Sequence, residues 1–219
     1  MRNIFERGLY CVIDPAAKIS PSTKVGSFCI IGGNIKIGKN TVIKNHVEIR
    51  TDGGLVEIGD GCVIDSGVLL EGPCIIESNV TIGPECEIRP GVKINKSSYL
   101  QGRNRIADNC VIDMGATIKY GSILTSNVYI GRDCFIGPNV IMTGDDQSRG
   151  QPEAGNEKST RIGAETFIGA NSILMPAVHI GSQNIIGACS FVRGGTGDQE
   201  VWFGNPAKCR KTRRKQDVD

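Results

Sequence analysis

An aliphatic residue recurs at every sixth position along most of this 219-residue chain. The run opens Ile13, Ile19, Val25, Ile31, Ile37, Ile43, Ile49, slips by half a hexad across RTDGGLVE, and resumes at Ile58. It then holds without a miss to Met142, breaks over a polar stretch at about 143–161, and returns as Ile162, Ile168, Leu174, Ile180, Ile186 and Val192. The lattice has 28 positions, although Leu, Ile, Val and Met together make up only about a quarter of the chain. A helix cannot use such spacing. Six residues advance about 600°, so successive sites fall about 120° apart and no face is apolar. Six is a multiple of the strand period of two, so every lattice residue can point to one side of a strand. Hexapeptide periodicity of this kind reads as a parallel β-helix, one short strand and one turn per hexad. Glycine follows the lattice residue at many steps (Gly26, Gly38, Gly59, Gly137, Gly163, Gly181), where it suits tight corners.

A second series lies four residues after each lattice position and is small or β-branched, as at Val47, Cys62, Val68, Cys74, Ala116 and Thr166. It too should point into the narrow interior. Seven of the 9 cysteines (Cys11, Cys29, Cys62, Cys74, Cys86, Cys110, Cys134) fall on it, so they read as small apolar plugs rather than as a metal or redox inventory. Cys189 and Cys209 lie off the series. No apolar run approaches the roughly 18 residues of a membrane span. The first residues, MRNIFERG, are charged and lack the apolar stretch of an export signal, which leads to an expectation of a cytoplasmic protein with reduced thiols. With 2 histidines, one chain cannot supply three imidazoles to a metal, and no metal site is expected.

The repeat, covering about 180 residues, resembles the hexapeptide-repeat acyltransferases. Three local motifs add to it. Val25–Ile49 looks like the opening coils of UDP-N-acetylglucosamine acyltransferases. FGNPAK (Phe203–Lys208) resembles the signature that closes the helix in acetyl-CoA-dependent members. MTGDDQSR (Met142–Arg149) resembles a loop of nucleotide-amino-sugar N-acetyltransferases, matching at Thr143, Asp145 and Arg149 and departing at Gly144 and Ser148. The resemblance implies an all-β fold, a left-handed parallel β-helix of about nine triangular coils. It would run over residues 11–192 after a lead-in of 1–10, with an external loop at 143–161 and a C-terminal extension at 193–219. It also implies acetyl-CoA as donor, a nucleotide-linked sugar as acceptor, and a homotrimer with sites between subunits.

Relatives place a catalytic histidine on the interrupting loop or two residues after a lattice position. Here the loop has no histidine, and TIKYGS puts Tyr120 where that base would stand. A free tyrosine, with a pKa near 10, is a poor base at neutral pH, so Tyr120 is assigned to substrate binding with Thr143 and Arg149. The candidates for catalysis are then Asp145, Asp146 and His46, with His179 a further candidate on a coil near the donor. Asp145 could orient the acceptor amine or, with a raised pKa, take its proton. His46 stands at a corner, where a surface role is the alternative.

IGANS and IGACS put Gly169–Ala170 and Gly187–Ala188 at equivalent corners one coil apart. Small residues there would let an extended pantetheine arm approach backbone amides, or would simply be good corner chemistry. The tail KCRKTRRK is basic; Lys208 and Arg210 are candidates for the phosphates of coenzyme A, and the run has no interleaved aromatics to suggest nucleic acid. Two functional readings follow. One is an acyltransferase acting on an amine, or less readily a hydroxyl, of a nucleotide sugar. The other is a non-catalytic β-helix scaffold that has lost the usual histidine.

Overall fold

The computed structural model describes residues 6–144 and 159–212. The chain coils as a left-handed parallel β-helix. Each turn contributes one short strand to each of three parallel sheets, which hold 12, 10 and 9 strands and form the faces of a triangular prism. Chain order runs from first sheet to second to third and back. Register follows the repeat: Ile118 pairs with Ile136 in the first sheet, Ile106 with Leu124 in the second and Ile94 with Ile112 in the third, each partner standing three hexads further on. The half-hexad slip is absorbed at one corner, so that Ile37 still pairs with Ile58 across the inserted segment and the lattice continues undisturbed. The polar stretch leaves from another corner between second and third sheets; Tyr129 still pairs with Arg161 beneath it.

Of the lattice residues only Ile13, at the open end, is partly exposed; the rest form one continuous core. The coil count exceeds the expected nine by about one turn. Glu6–Arg7 pairs with Lys24–Val25 at one end. At the other end, Glu200–Gly204 adds to the first sheet with Trp202 beside Ile186, and Ala207–Thr212 folds back antiparallel on it.

Two details correct the reading of the corners. The glycines that directly follow lattice residues do not adopt the left-handed backbone. That conformation falls two residues later, at Asn40, His46, Asn79, Glu85, Asn139 and Asn171, with φ between 54° and 59°. The first glycine is instead required by close approach: a Cβ on Gly137 would lie 2.7 Å from the Ala170 nitrogen of the next turn. The interior thiols also do more than fill space. Cys29, Cys62, Cys86, Cys110 and Cys134 each donate to a corner carbonyl of the following turn at 2.9–3.0 Å, as Ser98, Ser122, Thr166 and Ser172 do with their hydroxyls. Where it carries these thiols or hydroxyls, rather than Val or Ala, the second series satisfies backbone acceptors that the corners turn inward.

Candidate functional site

The corner between the first and second sheets carries most of the sequence candidates. Successive turns stack there in register, Ile118 on Ile136, Ile136 on Ile168, Ile168 on Ile186 and Ile186 on Trp202. The corner residues that follow stack too. Over three turns they are Gly137–Pro138, Gly169–Ala170 and Gly187–Ala188, a strip of edge with no side chain beyond a methyl or a proline ring. Lys119 and Tyr120 close this trough on one side, and Phe203 closes it on the other, its Cβ 2.8 Å from where a Gly187 Cβ would sit. Four rises of about 4.8 Å separate the ends, roughly 19 Å. One rim is apolar, with Phe135 and Phe167 stacked at 4.8 Å; the other bears Asn139, Asn171 and Cys189.

Backbone donors on the floor divide into two kinds. The Gly169 and Gly187 amides bond to Ile186 and Trp202 carbonyls of the next turn at 2.7 and 2.8 Å. The amides of Ala170 and Ala188 make no hydrogen bond among the described residues. At some comparable positions a side chain takes that amide, Asn45 Oδ1 accepting from Ser27, Asp60 Oδ1 from Lys39 and Asp198 Oδ1 from Ser182, while at others, such as Ser78 and Ala164, it too makes no hydrogen bond among the described residues. Ala170 and Ala188 thus present two donors one turn apart, with no side chain over them.

Arg210, on the returning strand, lays its guanidinium over the Phe203 ring at 5.1 Å, and exposed Lys208 pairs with Phe203 across the hairpin. Both basic candidates therefore stand at the far end of the trough. At the near end Tyr120 is half exposed, and the Lys119 ammonium sits over the rings of Tyr99 at 5.9 Å and Phe135 at 5.5 Å. The sequence reading missed Lys119, Phe135, Phe167 and Phe203; following the corner positions at steps of three hexads would have aligned Lys119 with the glycines.

Other candidates fall elsewhere. His46 shares this edge but lies six turns from Gly169, about 29 Å at the strand spacing. It is the last ring of an exposed ladder, stacked on Phe28 at 5.0 Å, which stacks on Tyr10 at 5.4 Å. His179 projects from the third sheet, across the prism from the Gly-Ala corners rather than near them, with Nε2 3.1 Å from the Ser159 carbonyl. Neither histidine belongs to the trough. Thr143 stands at the corner between the second and third sheets, where its hydroxyl donates to the Leu174 carbonyl at 3.0 Å. Asp145, Asp146 and Arg149 lie outside the described residues.

The interior thiols are not nucleophiles. Burial pushes Cys74 and Cys110 up to about 12 and Cys86 and Cys134 to about 11, so all stay protonated. On the edge between the third and first sheets, Asp113 accepts from Asn95 Nδ2 at 2.8 Å and from the Tyr129 hydroxyl at 3.0 Å. The Asn95 bond leads the causes that hold its carboxyl below the usual carboxylate range, against a smaller upward push from burial. No cluster of His, Cys, Asp and Glu with metal-holding geometry occurs among the described residues, and no helix is long and apolar enough to cross a membrane.

A family model described as bacterial transferase hexapeptide (six repeats) matches residues 11–51, 56–90 and 159–194, just over half of the chain. The protein belongs to this family. Within this hexapeptide transferase, 53 residues are 45% identical to the acyl-[acyl-carrier-protein]–UDP-N-acetylglucosamine O-acyltransferase of Thermodesulfovibrio yellowstonii, 24% of this chain and 19% of that protein. A further 92-residue match, 29% identical, is to the bifunctional protein GlmU of Koribacter versatilis, 41% of this chain and 18% of that one. The matched segments thus span under a fifth of either relative. The UDP-N-acetylglucosamine acyltransferase of Arabidopsis superposes over 92% of this chain and 72% of its own with a TM-score of 0.63 and 19% identity, a likeness of fold.

Proposed function

We propose that this hexapeptide transferase moves an acetyl group from acetyl-CoA to the amino group, or less readily a hydroxyl, of a nucleotide-linked sugar. The observation that carries the reading is the trough with the open amides of Ala170 and Ala188 on its floor. A pantetheine arm is a thin chain with two amide carbonyls, about the length of an extended four- to five-residue peptide, roughly 15 Å. A trough of about 19 Å accommodates it lengthwise. The open amides are donors for its carbonyls, and Arg210 and Lys208 are suited to its phosphates. That orientation puts the thioester at the Lys119–Tyr120 end. On this reading Tyr120 binds the acceptor at the end of the trough, Thr143 and Arg149 do so across the seam from another copy of the chain, and Asp145 or Asp146 orients the attacking amine.

Homotrimeric assembly is supported by one feature of the surface. From Val42 to Val201 no outward position of the first sheet is charged, and Tyr99, Phe135, Phe167 and Ile185 stand among them. The second sheet carries Glu48, Glu87 and Arg105 outward, and the third Lys18, Lys36, Glu57 and Lys93. An uncharged face of that length is a surface for association. Packing it on another copy brings the adjoining edge, with its trough, to the seam between subunits.

Incubation with acetyl-CoA and a panel of amino-sugar nucleotides, followed by detection of released thiol, tests the reading. Turnover with at least one acceptor is expected, and silence across donors and acceptors refutes it. The absence of both histidines from the trough favours the alternative of an inert scaffold. Titration with coenzyme A separates the two, since a ligand bound only by the folded state raises the melting temperature with concentration. No shift at millimolar coenzyme A supports the scaffold.

A further inference from the structure

We propose that Lys119 is a catalytic cation of this site, donating from Nζ to the carbonyl oxygen of the donor thioester; the assignment rests on the donor reading above. Three observations lead to it. Lys119 follows Ile118 as Gly137, Gly169 and Gly187 follow their lattice residues, so its side chain is the first to rise where the glycine strip ends. Its ammonium makes no ion pair or hydrogen bond among the described residues. Several other cations along the prism are engaged with carboxylates, Lys36 with Glu57, Lys44 with Asp65, Arg103 with Glu85 and Arg132 with Glu165, although Arg161 too sits over a ring, that of Tyr129. The Lys119 ammonium is instead held over the Tyr99 and Phe135 rings, at 5.9 and 5.5 Å, which fixes the head without neutralising it. The other cations of the trough, Arg210 and Lys208, are at the opposite end. A donor that places its phosphates there delivers its thioester carbonyl to Lys119.

The step balances without any further reactant. The acceptor nitrogen attacks the thioester carbon and forms the C–N bond, while the carbonyl electron pair moves onto oxygen and is met by the Lys119 ammonium. Collapse of that oxyanion restores the carbonyl and breaks the C–S bond. The proton lost from nitrogen ends on the departing thiolate. A fixed donor at a developing oxyanion is worth about 10²–10³-fold in turnover. No imidazole is needed for this role.

Lys119→Met keeps the aliphatic stem over both rings and removes the charge. Calorimetric titration of the full-length protein with acetyl-CoA and with coenzyme A compares ligands that differ only in the acyl group. The wild type is expected to prefer acetyl-CoA by up to about tenfold, as one hydrogen bond from a charged donor allows. In the variant the preference should vanish, with coenzyme A affinity kept within about twofold and an unchanged melting temperature. Acetyl transfer should fall about 10²-fold in kcat with little change in acceptor KM. A variant that retains both preference and turnover overturns the assignment and leaves the donor reading standing. A wild-type protein that binds neither ligand overturns both.

Discussion

Replacing Cys110 distinguishes a plug from a hydrogen-bond donor. Its side chain is fully buried mid-prism, and its thiol is 3.0 Å from the Thr125 carbonyl. Burial pushes its pKa up to about 12, so the proton needed for donation is present throughout the working pH range. If packing alone matters, Cys110→Val should be neutral and Cys110→Ser should cost most. The geometry gives the opposite order. Serine keeps a donor, as Ser98 and Ser122 do at equivalent positions, and loses about a methylene's worth of apolar burial, about 0.8 kcal/mol. Valine keeps the burial but strands a buried carbonyl, at about 1–3 kcal/mol, and adds a methyl to a filled interior. Valine should therefore lie about 1–2 kcal/mol below serine. For a chain of this size that is about 3–6 °C in melting temperature. Urea unfolding followed by circular dichroism, with equal m-values for the three proteins, gives the comparison. A valine variant at least as stable as the wild type, with serine below it, refutes the donor role.

The two kinds of corner glycine should respond differently to a side chain. A Cβ on Gly169 would lie 2.7 Å from Ala188 Cα, so Gly169→Ala should cost about 2 kcal/mol or more and weaken coenzyme A binding. Gly67, with φ of 71° and nothing nearer to an added Cβ than Glu85 Cγ at 3.5 Å, sits where other turns carry asparagine, so Gly67→Asn should change the melting temperature by no more than a degree or two; equal penalties would contradict the stacking argument. Native-state alkylation read by mass spectrometry should modify Cys189 and Cys209 quickly and leave Cys74, Cys86, Cys110 and Cys134 untouched until unfolding; rapid labelling of Cys110 would contradict the burial. Asp113 has a depressed folded pKa, so its contribution is present above about pH 4 and fades as pH falls through that lower value. The stability gap between wild type and Asp113→Asn should be largest above about pH 5 and shrink toward about pH 2, and a gap independent of pH would sink the linkage.

The inward face of the prism was legible because one periodicity decides it. In a coil that repeats every three hexads, the neighbour of each strand is known once the hexads are counted, and Ile13 alone among the lattice residues escapes full burial. The count failed where the spacing changed. Trp202 stands beside Ile186 although it comes just short of three hexads later, and Arg7 keeps the register without being aliphatic, so neither end turn was counted. The site was legible in its floor and not in its ends. Gly169, Ala170, Gly187 and Ala188 announce themselves as repeated dipeptides. The direction of the Lys119 head is set by rings from the turns before and after it, and the place of Arg210 by a hairpin that follows the last hexad. His46 looked like a candidate because corners look alike in sequence; its separation from the trough is a matter of counting turns.

The neighbouring edge shows why glycine alone does not mark a site. Between the third and first sheets, Gly131, Gly163 and Gly181 also follow their lattice residues, and a Cβ on Gly131 would lie 2.7 Å from the Ala164 nitrogen. Packing therefore demands glycine at both edges. The positions beside it differ. On that edge Arg132 bonds to Glu165 at 3.0 Å, and Gln183 donates to the same carboxylate at 2.9 Å, so charged and amide side chains cover the backbone. On the trough edge the places of Glu165 and Gln183 hold Asn171 and Cys189, and that of Arg132 holds Pro138, so no charged side chain lies across the backbone there. Coil stacking does not ask for that bareness, since the first edge stacks as closely with its side chains in place. What bareness leaves is exposed backbone donors between cations at the two ends, and this bears on the acceptor too. An amine in its neutral form attacks a thioester unaided, whereas a hydroxyl needs a base to take its proton. On the proposed function, the amides, phenol, cations and exposed Cys189 thiol of the described trough are a set that would polarise the donor and favour nitrogen as the nucleophile.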